Sequence, residues 1–423
     1  MQNKLLSGYF FFVFLLTAQP CNFFNITDVG SATTIAITLL LSAFICIRFK
    51  TVKFEWKRFI GVTALMALWG LLQYVFLDRS PSPLIFVELF VAFVVFHLYR
   101  NNLVYRFEIV SVKMAIIALG LWGICLFAYE PMYALAKAIG DKGAGVSQSL
   151  YIFSIPNRYS YQGFLLRNCG YSWEPGRFSC MLIIALWFNI LRTNLNFKDR
   201  NFRILTLALI TAQSTTGYIV YILMIGIYYL IYKKWNPLYI AAGALAISSI
   251  MALPFMREKI ENLMLTNDDL VVNLQNMEYQ ARSNSFEGLY VPQRFEGFMY
   301  QLVNFEHSNK IIGEGRNFLN FYINKELGFP VVVSEGIVNI FIRYGIIIAL
   351  LMCFCLFSSS RAISSRYEGR GRLLFPLLFL SLSFSYYLWA SPILMVVWLW
   401  SYWDGSVFNK YKKLKCNKNS KTT

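Results

Sequence analysis

The stretch Arg167-Asn168-Cys169-Gly170-Tyr171-Ser172-Trp173-Glu174-Pro175-Gly176-Arg177-Phe178 leads directly into an apolar run. An acid and two bases at the mouth of such a run are costly unless they are used. A carboxylate can take the proton of an attacking hydroxyl, and guanidinium groups can clamp a phosphate or pyrophosphate bidentately. The same stretch also reads as an ordinary helix start. Pro175 lacks the N–H that a first turn leaves unpaired, and Glu174 suits the positive end of a helix dipole. Both readings stand on the sequence.

A second feature is Gln213-Ser214-Thr215-Thr216-Gly217-Tyr218, where small hydroxyl residues interrupt an apolar segment. Their hydroxyls can satisfy backbone groups freed at a turn. A third begins with Arg294-Phe295-Glu296-Gly297 and continues with Gly313-Glu314-Gly315-Arg316. It ends with Ser334-Glu335-Gly336 and an apolar run holding Asn339, Arg343, Tyr344 and Gly345. Arg343 sits about two turns inside that run, where it either snorkels outward or binds an anion.

The elements that must hold these residues are membrane helices. Of 423 residues, 57% are hydrophobic and only 14% charged, against about 25% charged in soluble domains. A soluble enzyme, a disulfide scaffold and a disordered chain are excluded. The eight Cys are scattered without zinc spacing, and most sit in apolar segments as small hydrophobes. A pairing of Cys21 with Cys169 is not expected. The net charge of +17 would suggest nucleic acid on a soluble protein. Here the basic residues fall between apolar runs, and no nucleic-acid partner is expected.

Apolar runs lie at 5–19, 30–47, 59–77, 83–99, 108–129, 178–191, 204–213, 217–232, 237–254, 337–357, 373–388 and 390–403. The first is expected to be a retained span rather than a cleaved signal. The segment 204–232 is too long for one span, so it should form a hairpin. The expected fold is all-α, a polytopic transmembrane bundle of about 12 spans, each crossing with about 20 residues. With the N-terminus inside, clusters such as Arg48–Arg58, Arg192–Arg203, Arg361–Arg372 and the six Lys from Lys410 to Lys421 all fall on the inner side. Both termini are then cytoplasmic. The organisation is 1–129, spans 1–5; 130–177, a first large outer loop; 178–254, spans 6–9; 255–336, a second large outer loop; 337–403, spans 10–12; and 404–423, a basic tail. Loops of this length are usually functional. The amphipathic stretches Ile260–Leu265 and Phe295–Val303 suit a membrane surface. Phosphate-loop, HExxH and GxSxG motifs are absent.

The order Arg167, Gly170, Glu174-Pro175-Gly176, Phe178, then Ser214-Thr215-Thr216-Gly217-Tyr218, resembles the O-antigen polymerases of the bacterial O-antigen ligase/polymerase superfamily. The outer loop with Arg294, Gly313 and Gly315, followed by Tyr344-Gly345 in a span, is similar too. The likeness covers about 155–232 and 290–350, with the first five spans alike only in hydropathy. The resemblance implies a multi-pass protein of a bacterial inner membrane with two periplasmic loops. Its substrates would be undecaprenyl-pyrophosphate-linked oligosaccharide repeats, with the growing chain moved onto the terminal sugar of a new repeat. No nucleotide, metal or other cofactor is expected. A chain-length regulator and a flippase are the expected protein partners, and membrane lipid the surroundings.

On that reading Glu174 is the catalytic base. Arg167, Arg177, Arg294, Arg343, Arg158 and Arg316 are the candidates for binding the pyrophosphate. Tyr218, Tyr171 and Trp173 are candidates to stack on sugars, although interface anchoring is the commoner use of such rings. The competing member of the superfamily is the ligase, which carries a His shortly before the span that follows the large loop. Here Pro330–Gly336 holds no His, His97 lies within a span and His307 lies well upstream. A flippase for the same lipid is the other alternative. It would be expected to show two similar halves, and none are evident.

Overall fold

The computed structural model describes residues 12, 28–48, 54–79, 84–139, 141–142, 147–150, 152–156, 166–233, 294–315, 322, 325, 336–369 and 371–406. The runs 5–19 (apart from Phe12) and 237–254, the stretch Ile260–Leu265, Arg158, Arg316, Cys21 and the basic tail lie outside these residues.

Helices dominate the described chain. They are α1 Asp28–Arg48, α2 Trp56–Leu77, α3 Leu84–Tyr99, α4 Leu103–Phe127, α5 Tyr129–Ile139 and α6 Pro175–Thr193. Then come α7 Arg200–Ala212, α8 Thr215–Tyr232, α9 Arg294–Glu306, α10 Ile337–Ser364, α11 Leu374–Ser383, α12 Pro392–Trp398 and α13 Trp400–Asp404. Four helices among the described residues are long and apolar enough to cross a membrane: Trp56–Leu77, Leu103–Phe127, Thr215–Tyr232 and Ile337–Tyr367. Ala36–Arg48, Leu84–Tyr99 and Leu374–Ser383 are shorter apolar helices. The long ones present Ile60, Leu68, Leu71 and Phe76 of α2 and Leu350 and Phe354 of α10 outward, an apolar surface that lipid would cover.

The centre of the bundle is α6. Every residue from Phe178 to Leu191 is buried, against α4, α7, α8 and α11. A helix wrapped by protein need not be apolar enough for lipid, which is why α6 tolerates Asn189 on its buried surface. The expected hairpin over 204–232 is present. Gln213 closes α7 in the left-handed conformation, and the Ser214 hydroxyl accepts the Gly217 N–H at 3.2 Å to open α8.

Two segments depart from expectation, and a third gains a described partner. The first large loop is partly structured, with α5 followed by a three-stranded antiparallel sheet, β1 Asp141–Lys142, β2 Ser147–Ser149 and β3 Ser154–Pro156, which pairs Asp141 with Ser149 and Gln148 with Ile155. The run 373–388 is not one helix. It stops being helical after Ser383, and an irregular buried segment leads through Ser385, Leu388 and Trp389 to α12. Non-helical backbone is tolerated at such depth where protein surrounds it. The stretch Phe295–Val303 lies in α9, where Phe298 and Phe305 meet Val338 and Ile342 of α10.

Among the described residues the bundle has a basic end and an opposite end. At the basic end, Arg100 and Arg366 both pair with Asp404, and the Arg58 guanidinium donates to the Trp403 carbonyl. Beside them the fully buried Glu108 of α4 accepts Arg192 Nε and Nη2 at 2.8 and 2.7 Å, Asn189 at 2.9 Å and Asn201 at 2.8 Å. Four donors on two carboxylate oxygens satisfy this buried charge and tie α4, α6 and α7 together. Removing one partner of such a pair strands the other. Arg192→Met should therefore cost about 3–5 kcal/mol, seen as a lowered unfolding midpoint of the detergent-purified protein. An unchanged midpoint would show that the network is not a structural lock.

Candidate functional site

The other end gathers most of the described residues that the sequence singled out. Glu174 is the N-cap of α6 in an extended conformation, and Pro175 fills the first helical position. The Glu174 side chain makes no capping bond. Arg177 stands in the first turn, half-buried. A cation there opposes the helix dipole, and no hydrogen bond or ion pair to it is found among the described residues. An anion binding at this point would meet both the positive helix end and the guanidinium.

The approach to α6 is built from residues 166–173. Asn168 is fully buried: its N–H donates to the Thr211 carbonyl and its amide to the Thr211 hydroxyl, both at 2.9 Å, while its Oδ1 accepts the Gly170 N–H. Gly170 takes a left-handed φ of +54°, and a Cβ there would run into the Phe178 ring. Its carbonyl accepts the Ser154 N–H at 2.7 Å, so strand β3 buttresses the turn. Arg167 donates to the carbonyls of Ala212 and Gln213 at 3.4 and 2.9 Å, a cation on the negative end of α7. Burial pushes the Cys169 thiol up, with Arg167 pulling it down and Glu174 pushing it up. Both charges thus lie within electrostatic reach of one buried sulfur.

The irregular segment after α11 joins this mouth to the rest of the site. The Tyr386 hydroxyl occupies the space that a Cβ on Gly176 would need. Ser385 Oγ lies 3.0 Å from Thr216 Oγ1, beside the start of α8. A Cβ on Gly336 would meet the carbonyl oxygens of Ser383 and Phe384. The N-termini of α6, α8 and α10 therefore surround residues 383–386, partly offset by the C-terminus of α11.

The next residue, Tyr387, supports Arg343. The Arg343 guanidinium carbon lies 5.1 Å from the centre of the Tyr387 ring, and its Nε donates to Asn339 Oδ1 at 2.7 Å. The Tyr387 hydroxyl donates to that of Tyr344 at 3.4 Å. Two residues beyond Arg343, α10 is broken at Gly345, with φ +73° and ψ +171°. Residues 309–315 fill the break. The N–H groups of Glu314 and Gly315 donate to the carbonyls of Ile342 and Arg343, and the Ile346 N–H donates to the Lys310 carbonyl. Gly313 and Gly345 are pressed backbone to backbone, and a Cβ on either would overlap the other segment. Asn309 Oδ1 accepts the N–H groups of Ile311 and Ile312, and Arg79 pairs with Glu314 at 3.1 Å.

Of the expected site residues, the structure places Glu174 and Arg177 at the mouth of α6, and Arg343 nearby on α10, joined to them through Tyr386-Tyr387. Arg294 opens α9. Tyr171 is buried against Phe178, with ring centres 5.3 Å apart. Tyr218 is 8% exposed, and its hydroxyl donates to the Ile210 carbonyl at 2.5 Å. Both rings pack the floor of the site. His97 accepts the Glu55 N–H, and His307 stacks on Tyr322 at 3.8 Å. Tyr386 and Tyr387 were not singled out in the sequence, where they sit in an apparently continuous apolar run. No protein-family model, curated protein or solved structure matches the chain.

Gly345→Ala should cost about 3 kcal/mol from strain and overlap, read as a lower unfolding midpoint in detergent. Gly226→Ala, which meets nothing within 4 Å, should leave the midpoint in place. Equal behaviour of the two variants would contradict the packing described for the break.

Proposed function

We propose that the protein is an O-antigen polymerase of a bacterial inner membrane. In this reading the end that carries Glu174 faces the periplasm and the basic end faces the cytoplasm. A hydroxyl on the terminal sugar of a new lipid-linked repeat attacks the anomeric carbon of the growing chain. The bond from that carbon to the pyrophosphate oxygen breaks, and undecaprenyl pyrophosphate leaves with the electron pair. The hydroxyl proton passes to the Glu174 carboxylate. Arg177 and Arg343 meet the negative charge gathering on the leaving group, a type of stabilisation that is often the largest catalytic contribution.

The observation that carries the reading is Arg177. A half-buried guanidinium at the positive end of the central helix adds its charge to that of the helix dipole, and an anion bound there would meet both. Glu174 stands three residues before it, and Arg343 reaches the same end by way of Tyr387. Arg167, engaged with the end of α7, supports the local fold and adds positive potential. The family resemblance of the motifs supplies the chemical identity of the substrate.

Deletion of the gene in its host should collapse the lipopolysaccharide ladder to core plus one repeat, since repeats are still flipped and ligated. Loss of every O-antigen band, including the single repeat, would point to the ligase or the flippase instead. Glu174→Gln should reproduce the collapsed ladder while the protein still inserts at wild-type abundance. A normal ladder from that variant would remove Glu174 from the chemistry.

A further inference from the structure

Gln73 is out of place on α2. Gly70 and Gln73 are the only buried residues of that helix, while its other faces turn largely outward. An amide in an apolar span is costly unless it finds partners. Gln73 Nε2 donates to the carbonyls of Ile312 at 2.9 Å and Arg343 at 2.7 Å. One turn earlier, Trp69 Nε1 lies 3.1 Å from the Ile312 carbonyl and 2.9 Å from that of Tyr344. In an unbroken helix the Arg343 and Tyr344 carbonyls would accept N–H groups four residues on. The break at Gly345 diverts that pattern, and α2 supplies replacement donors.

We propose that Gln73 and Trp69 are positioning residues for Arg343, fixing the place at which its guanidinium meets a pyrophosphate-bearing lipid. The inference rests on the reading of Arg343 as part of a pyrophosphate site. Arg343 is held at both ends. Asn339 and the Tyr387 ring hold its side chain, and Gln73 with the Gly315 N–H holds its carbonyl. Loss of the Gln73 amide leaves the Arg343 carbonyl with the Gly315 N–H alone and the Ile312 carbonyl with Trp69 Nε1 alone. The turn carrying Arg343 then relaxes toward other donors, and its guanidinium moves with it. Neither Gln73 nor Trp69 touches substrate in this account; both act through Arg343.

The test is binding of farnesyl pyrophosphate to the purified protein in detergent, scored per folded molecule. Gln73→Leu should weaken binding about tenfold, and Arg343→Ala should weaken it at least as much. The double variant should bind no more weakly than Arg343→Ala alone, because Gln73 acts only through Arg343. Should Gln73→Leu not fold, Trp69→Phe removes one donor while keeping an aromatic ring, and is expected to weaken binding about threefold. Unchanged affinity in the folded variants, or effects that multiply in the double variant, would overturn the inference while leaving the pyrophosphate site intact. Wild-type binding that is insensitive to Arg343→Ala would instead overturn the reading of the site, and this inference with it.

Discussion

A helix broken inside an apolar layer exposes carbonyl and N–H groups to surroundings that offer no partners, and each unsatisfied group costs several kcal/mol, by order of magnitude. The break of α10 at Gly345 therefore dictates much of what lies around it. Residues 309–315 must enter the gap, which brings part of the second large loop into contact with a membrane helix. Gly313 and Gly345 must both lack a Cβ, because two backbones meet there. Helix α2, otherwise largely outward-facing, must present Trp69 and Gln73. Arg343 is fixed as a consequence, on the last full turn before the break.

The two ends of the bundle divide the electrostatic work. At one end acids answer the basic residues: Glu108 with Arg192, and Asp404 with Arg100 and Arg366. These contacts lock the helices in register. At the other end, Arg167, Arg177 and Arg343 stand near helix termini. The N-termini of α6, α8 and α10 surround one irregular segment, Arg177 opposes a helix dipole, and Arg343 lies over Tyr387. The first arrangement suits a scaffold, and the second suits a polyanionic ligand held against fixed dipoles.

Much of this was legible in the sequence, for physical reasons that can be named. Long apolar runs gave most of the described helices, because hydropathy is a local property. The turn at Gln213-Ser214 was readable from hydroxyl residues in an apolar run. Gly313, Gly315 and Gly345 stood out as residues, but their meeting depends on contacts more than twenty residues apart in the chain. Tyr386-Tyr387 escaped notice because an irregular segment buried in protein has the same hydropathy as a helix. Gln73 escaped because one amide in an apolar run has no signature until its partners are known. The small sheet in the first loop was equally hidden, since strands of two or three residues carry too little periodicity to read.

The most direct measurement is made on the purified protein in liposomes. Lipid-linked single repeats, extracted from a host lacking the gene, would be supplied as the sole substrate without nucleotide sugar. The account predicts lipid-linked chains of two or more repeats, with one polyprenyl pyrophosphate released for each linkage formed. Single repeats that stay unextended beside an intact, folded protein would contradict it.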